Sequence, residues 1–312
     1  MSMRVIFLGT SGSVPTLKRS LPAVVVQCPK EQWMFDCGEG AQRQMMAAKV
    51  SFHKKTKVFI SHLHGDHVLG LPGVLQTMAL MDRKEAVAVY GPVGIKDFLV
   101  CAQETLKFGL TFEVEINEIL QEGVICDEEE YSVVATKSNH LTDSYAYAFE
   151  EKPRPGKFYP KKALVLGVPK GELWSKLQGG ENVKLADGKV IKPQDVMGPM
   201  RAGRKIVYTG DTRPFEAFAA FALGADVVIH DCTFDDSLSE KAAVDGHSTP
   251  SQAAAQAKAA GAKRLVLTHI SARYPNAELL LEQAKKTFAN SVLAEDFLAL
   301  ELPLNEPKPA AP

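Results

Sequence analysis

Four side chains of metal-ligating type fall within six positions of one another in residues 61–70, SHLHGDHVLG: His62, His64, Asp66 and His67. Neutral imidazole and carboxylate are the usual donors for Zn²⁺ and related ions. So many polar side chains directly after the apolar run Val58, Phe59, Ile60 cannot all be turned into a core. His62 and His64 are two apart, so in an extended segment they point to the same side and can share one ion. Asp66 and His67 lie beyond Gly65 and can face a second. Half of the chain's eight histidines lie between His53 and His67, a concentration that sets the cluster apart from a polar loop with histidines by chance.

The elements around the cluster read as an α/β protein. Short β-branched and aromatic runs at 5–8, 23–27, 33–36 and 57–60 predict strands punctuated by glycine. Helices are expected at 41–48, 67–81 and 94–107, with further strands at 87–90, 112–116, 131–136 and 145–150. Residues 152–204 break this rhythm. They are rich in Pro, Gly and Lys and too long for an ordinary connection, so they read as an insertion with a role of its own or a mobile arm. Strands then follow at 206–209, 227–230 and 264–268, with helices at 215–223, 250–260 and 277–287 and closing strands at 291–294 and 297–300. Strands on both sides of the insertion, with helices between them, imply one layered α/β domain over 1–304. The tail 305–312, NEPKPAAP, reads as disordered.

Composition narrows the function classes. A chain of 312 residues with 46% hydrophobic and 23% charged residues can bury a core without disulfides. No run approaches the ~18 apolar residues of a membrane span, and the N-terminus reads as a first strand rather than a signal peptide. The five cysteines are scattered, with no C-x-x-C pair, which suits a reducing cytoplasm and no thiolate zinc site. Net charge is −1, yet residues 152–205 hold 13 Lys/Arg against 4 Asp/Glu, a local balance of +9 that leaves −10 for the remainder. A basic segment on an acidic body is an electrostatic footprint for a polyanion, or a solvated lysine-rich loop.

The string HLHGDH resembles the H-x-H-x-D-H signature of the metallo-β-lactamase superfamily. FLGTSGSVPT, FDCGEGAQRQ, GDTRP, HST and HISARY together resemble the ribonuclease Z family within it, and the match covers nearly the whole chain apart from the tail. The superfamily resemblance implies a four-layer αβ/βα sandwich, here with an inserted flexible arm. The cluster then sits on the loop after a strand, and the remaining ligands come from later strand ends. By that resemblance His62, His64 and His140 hold one metal ion, Asp66, His67 and His269 hold the other, and Asp211 bridges them. Two Zn²⁺ per subunit are implied, with Mn²⁺ able to substitute.

The family resemblance implies an endoribonuclease that cuts precursor tRNA on the 3′ side of the discriminator by two-metal phosphodiester hydrolysis and leaves a 3′-hydroxyl. It also implies a homodimer, no membrane, and a basic exosite arm at 152–204 that grips the tRNA body. The alternative is another hydrolase of the same fold acting on small phosphodiesters or other esters, for which a basic arm has no use. Asp66 is the candidate to orient or deprotonate the attacking water. His247 is the candidate general acid for the leaving 3′ oxygen, with Asp231, where the family often carries Glu, orienting it and raising its basicity. Arg19 and Arg273 are candidate phosphate contacts near the cleft. Lys157, Lys161, Lys162, Lys170 and Lys176 are candidate contacts to backbone phosphates. Phe158, Tyr159 and Trp174 either stack on nucleotides or form the arm's small core. Asp36 reads as a loop-fixing residue rather than a ligand, Cys37 as a buried small residue, and His53 and His230 as structural.

Overall fold

The computed structural model describes residues 3–305. Two compact units emerge among them: Lys205–Pro303 together with the described chain up to Glu150, and Glu151–Arg204 together with Leu304 and Asn305.

The first unit is built on two seven-stranded sheets. One runs in spatial order Ala299–Leu302, Met3–Gly9, Ala23–Gln27, Glu31–Phe35, Lys55–Phe59, Val87–Gly91 and Val114–Glu118. The other runs Ser291–Leu293, Leu265–Thr268, Val227–Asp231, Lys205–Tyr208, Tyr145–Glu151, Tyr131–Lys137 and Gly123–Asp127. In each sheet one half is antiparallel and the other parallel.

Strand alternation builds the layers. Val5, Phe7, Trp33, Phe35 and Phe59 point from the first sheet into a core shared with Tyr131, Tyr147, Phe149, Ile206 and Ile229 of the second. Their neighbours Ile6, Leu8, Met34 and Val58 point the other way, onto helices Ala41–Ala47 and Gly70–Leu80. Val207, Val228 and Leu267 likewise meet helices Pro250–Ala259 and Glu278–Thr287. Residues alternating between two apolar faces require cover on both, and helix, sheet, sheet, helix is the result. This is the sandwich the sequence implies.

Local differences have physical reasons. The helix expected at 67–81 starts earlier and divides into Gly65–Val68 and Gly70–Leu80. At the join the backbone of Gly70 lies so close to Gly38 that an added Cβ would sit 1.9 Å from the Gly38 carbonyl oxygen. Strand Gly123–Asp127 and helix Ser239–Asp245 carry no clear period and were not expected. The last strand is Ala299–Leu302 rather than 297–300, with Phe297 turned to φ 68° before it.

The second unit folds on a small core of Ala163, Val168, Leu177, Val183, Ile191 and Val196. These come from helices Pro160–Val165, Glu172–Gln178 and Pro193–Val196 and the hairpin Val183–Lys184 with Val190–Ile191. Phe158 and Trp174 pack against this core with ring centroids 5.1 Å apart, while Tyr159 is 36% exposed. The tail expected at 305–312 lies outside the described residues beyond Asn305. No helix among the described residues is long and apolar enough to cross a membrane.

Candidate metal centre

The site lies at the carboxyl ends of parallel strands, the usual place for a site in an α/β sheet. The loop after Lys55–Phe59 carries His62 and His64, and the short helix Gly65–Val68 carries Asp66 and His67. Asp211 follows Lys205–Tyr208, Asp231 ends Val227–Asp231, and His269 follows Leu265–Thr268. His140 comes after Tyr131–Lys137. His269 has φ 59°, a left-handed conformation that His tolerates better than most residues. Gly12 makes room for its ring, since a Cβ there would fall 2.6 Å from His269 Nδ1.

The structure brings all seven proposed ligands together. His64 Nδ1 is 3.0 Å from His62 Nε2 and 3.3 Å from His140 Nε2. On the other side, His67 Nε2 and His269 Nε2 are 3.3 Å apart, and Asp66 Oδ2 is 3.5 and 3.4 Å from them. Asp211 lies between the groups: Oδ1 is 3.3 Å from His67 Nε2 and 3.2 Å from His269 Nε2, and Oδ2 is 3.8 Å from His62 Nε2.

Neighbouring groups set the tautomers. His67 Nδ1 donates to Asp36 at 2.7 Å, His62 Nδ1 to Ser61 Oγ at 2.9 Å, His140 Nδ1 to the Gly246 carbonyl at 2.8 Å, and His269 Nδ1 to Thr233 Oγ1 at 2.8 Å. Each bond leaves an Nε2 lone pair facing inward. Asp36 is buried and also accepts from the Ser61 N–H, the Ser61 hydroxyl and Tyr208, so it fixes the loop from behind.

A metal ion fits this arrangement. Bonds of ~2.0–2.1 Å from imidazole or carboxylate to a tetrahedral cation put ligand atoms ~3.3 Å apart, and the separations above cluster around that value. Asp211 Oδ1 is buried and accepts no hydrogen bond, although it faces two inward imidazole nitrogens. A buried carboxylate so placed suits a cation. Burial, above all other causes, holds His62 well below the usual histidine range, so it is a neutral donor.

His247 lies beside the proposed ligands, its ring stacked 5.2 Å from that of His269. Its Nδ1 donates to Asp231 Oδ2 at 2.9 Å. Burial lowers its pKa, but the Asp231 carboxylate more than offsets this and pushes it up to about 9. Asp231 also accepts from the N–H groups of Thr212 and Ser248 and from the Thr233 hydroxyl. Both of its oxygens are thus engaged by donors, which argues against Asp231 as a ligand even though it lies within reach of Asp211 and His269. Two positions later, Thr249 and Gln252 form the capping box of helix Pro250–Ala259, which fixes the chain after His247.

A cavity of about 220 Å³ opens on His247, lined also by Ser13, Thr233, Phe234, Lys241 and Arg273. Arg273 is exposed there and lies 4.8 Å over the Phe234 ring. Arg19 is half-buried, and its Nη1 donates to Thr10 Oγ1 and the Ala294 carbonyl, which braces its loop and leaves its Nε and Nη2 uncommitted by those bonds. Lys157, Lys161, Lys162, Lys170 and Lys176 are exposed on the second unit, with Lys176 paired to Glu172 at 2.9 Å. Burial pushes the Cys37 thiol up, as suits an inert core residue. His230 is buried against Gln256, and His53 is exposed.

Sequence reasoning did not find Ser61, Thr233 or the Gly246 carbonyl. Thr233 had a signal: it is two residues after Asp231 and so shares its side in extended chain. Gly246 ends helix Ser239–Asp245 at φ 85°, and a Cβ there would lie 2.6 Å from His140 Nδ1.

Comparison with known proteins identifies the family. The chain is 47% identical to ribonuclease Z of Methanosarcina acetivorans, over 96% of this chain and 98% of that one. It is 41% identical to ribonuclease Z of Methanothermobacter thermautotrophicus, over 98% and 99%. The chain belongs to the ribonuclease Z family. The crystal structure of the short form of human tRNase Z superposes with a TM-score of 0.71 at 30% identity, covering 96% of this chain and 100% of that one. The family model described as Beta-lactamase superfamily domain matches residues 183–270, and one described as Anti-Pycsar protein Apyc1 matches residues 3–149. Ribonuclease Z is a metal-dependent endonuclease of the metallo-β-lactamase superfamily, and the histidine–aspartate groups of this chain are of the metal-binding kind that fold carries.

Proposed function

We propose that this ribonuclease Z cleaves precursor tRNA on the 3′ side of the discriminator by two-metal hydrolysis and leaves a 3′-hydroxyl. His62, His64 and His140 hold one ion, Asp66, His67 and His269 the second, and Asp211 bridges them. One observation carries the reading: two sets of three inward donor atoms share the Asp211 carboxylate, with His247 beside them. tRNA 3′-end processing is the activity of the family to which the chain belongs. We read the metal as zinc from the imidazole and carboxylate donors. The family resemblance supports a homodimer, and five free cysteines suit a reducing cytoplasm.

When bound, the ions would supply charge neutralisation at the phosphoryl oxygens and a nucleophile at neutral pH. The chain's own residues do the rest. Asp66 accepts from the Ser13 N–H at 2.8 Å and lies 3.4 Å from His269 Nε2, placed to orient or deprotonate the attacking water. His247 enters the reaction carrying a proton. Asp231 keeps its Nδ1, leaving the Nε2 proton for the leaving 3′ oxygen. Arg273, at the cavity's edge, is placed to meet an adjacent phosphate.

We read residues 152–204 as a basic exosite arm on the domain formed by the rest of 1–304. Its exposed lysines contact phosphates without reading sequence, and Tyr159 is the aromatic left outside its core. Deleting residues 155–195 will raise KM for precursor tRNA and flatten its salt dependence by ~0.7–0.9 log units for each phosphate the arm had neutralised. Hydrolysis of bis(p-nitrophenyl) phosphate will be unaffected, and equal loss on both substrates would argue against an exosite.

The function itself is tested by mapping the cut on a precursor tRNA with a 3′ trailer, against a panel of small phosphodiesters. A single cut next to the discriminator with a 3′-hydroxyl is expected. Turnover of the small esters alone would favour the other hydrolases of this fold.

A further inference from the structure

Thr233 is 3% exposed, and its hydroxyl links two neighbouring parts of the site, the His269 ring and the Asp231 carboxylate. It donates to Asp231 Oδ1 at 2.6 Å and lies 2.8 Å from His269 Nδ1. A carboxylate can only accept, so the single hydroxyl proton goes to Asp231 and an oxygen lone pair receives the His269 Nδ1–H. That fixes the tautomer leaving His269 Nε2 free, the atom facing Asp66 and His67. The other oxygen of the same carboxylate holds His247. One carboxylate therefore carries the general acid directly and a metal ligand through one hydroxyl.

The first group of ligands has a similar relay. Asp36 accepts from the Ser61 hydroxyl, which in turn accepts from His62 Nδ1. That relay has no bond to His247. The same chemistry thus occurs twice, and only the Thr233 copy is tied to the proton donor.

We propose that Thr233 is a positioning residue that couples the second metal site to the general acid: its hydroxyl sets both the His269 tautomer and the rotation of Asp231 behind His247. This rests on the reading of His269 as a ligand and His247 as the acid. Valine matches threonine in shape but offers neither donor nor acceptor, so Thr233→Val leaves His269 Nδ1–H and Asp231 Oδ1 without their shared partner. Serine retains the hydroxyl.

The test uses the full-length, metal-loaded protein. A chelator-competition titration of Thr233→Val should show one of two metal equivalents weakened by ~10–100-fold, the range for loss of a group behind a ligand, with the other unchanged. At saturating metal, kcat on precursor tRNA should stay at least ~10-fold low with KM unchanged. Bis(p-nitrophenyl) phosphate should recover full rate, because p-nitrophenolate leaves without a proton. Thr233→Ser should restore both affinity and kcat. Ser61→Ala, with saturating metal, should show no such split between substrates.

Native affinity and kcat in Thr233→Val would overturn the proposal. So would an affinity loss that saturating metal fully cures on tRNA, or a defect that serine does not rescue. Should the valine variant fail to fold, Thr233→Ala carries the same expectations. Failure of the underlying reading looks different: His247→Ala would be fully active, or His269→Ala would retain two tight metals, whatever Thr233 does.

Discussion

Replacing Asp211 with alanine leaves a folded protein that binds less than two equivalents of metal and does not turn over precursor tRNA. One oxygen of Asp211 faces His67 and His269 and the other faces His62, and its Oδ1 has no hydrogen-bond donor to lose. Its role is therefore electrostatic, and its removal leaves inward lone pairs with no shared negative charge to draw cations together. The rate loss should exceed the ~10²–10⁴ of a missing general acid, because both the nucleophile and the charge neutralisation depend on the ions. Metal analysis, thermal melting and single-turnover cleavage on one preparation check this. Two tight equivalents together with native turnover would remove Asp211 from the bridge.

The second large effect is at His247. Alanine there lowers kcat on precursor tRNA by ~10²–10⁴, while metal content stays at the wild-type value. His247 makes its hydrogen bond to Asp231, and its Nδ1 lies 3.9 Å from Asp211, beyond hydrogen-bond reach. Loss should depend on the leaving group. An RNA 3′ oxygen needs a proton, whereas p-nitrophenolate does not, so bis(p-nitrophenyl) phosphate should be cleaved at close to the native rate. Equal losses on both substrates would mean that His247 acts on the metals or the nucleophile instead. Unchanged turnover would reject the assignment outright.

The proposed ligands were legible because so dense a cluster of donor side chains has little use besides binding metal. A tight run of histidines and an aspartate after an apolar strand marks a centre, and the superfamily resemblance supplied His140, Asp211 and His269 from far along the chain. The layers were legible because Ile6 and Phe7, or Val207 and Tyr208, alternate between two apolar faces. What stayed hidden depends on contacts between distant segments. Ser61 and Thr233 matter only because a hydroxyl meets a particular imidazole nitrogen. The Gly246 carbonyl matters only because helix Ser239–Asp245 ends beside His140. Arg19 reads as a surface cation until Thr10 and Ala294 are found beside it. The basic insertion looked like a loop because its core comprises six small or aliphatic side chains scattered over residues 163–196.

The central claim is tested most directly by anomalous diffraction from crystals of the metal-loaded protein, measured on both sides of the metal's absorption edge. Two peaks per chain are expected, one bonded to His62, His64 and His140 and the other to Asp66, His67 and His269, with an Asp211 oxygen on each. A single peak, or an ion held by Asp231 and His247, would contradict it.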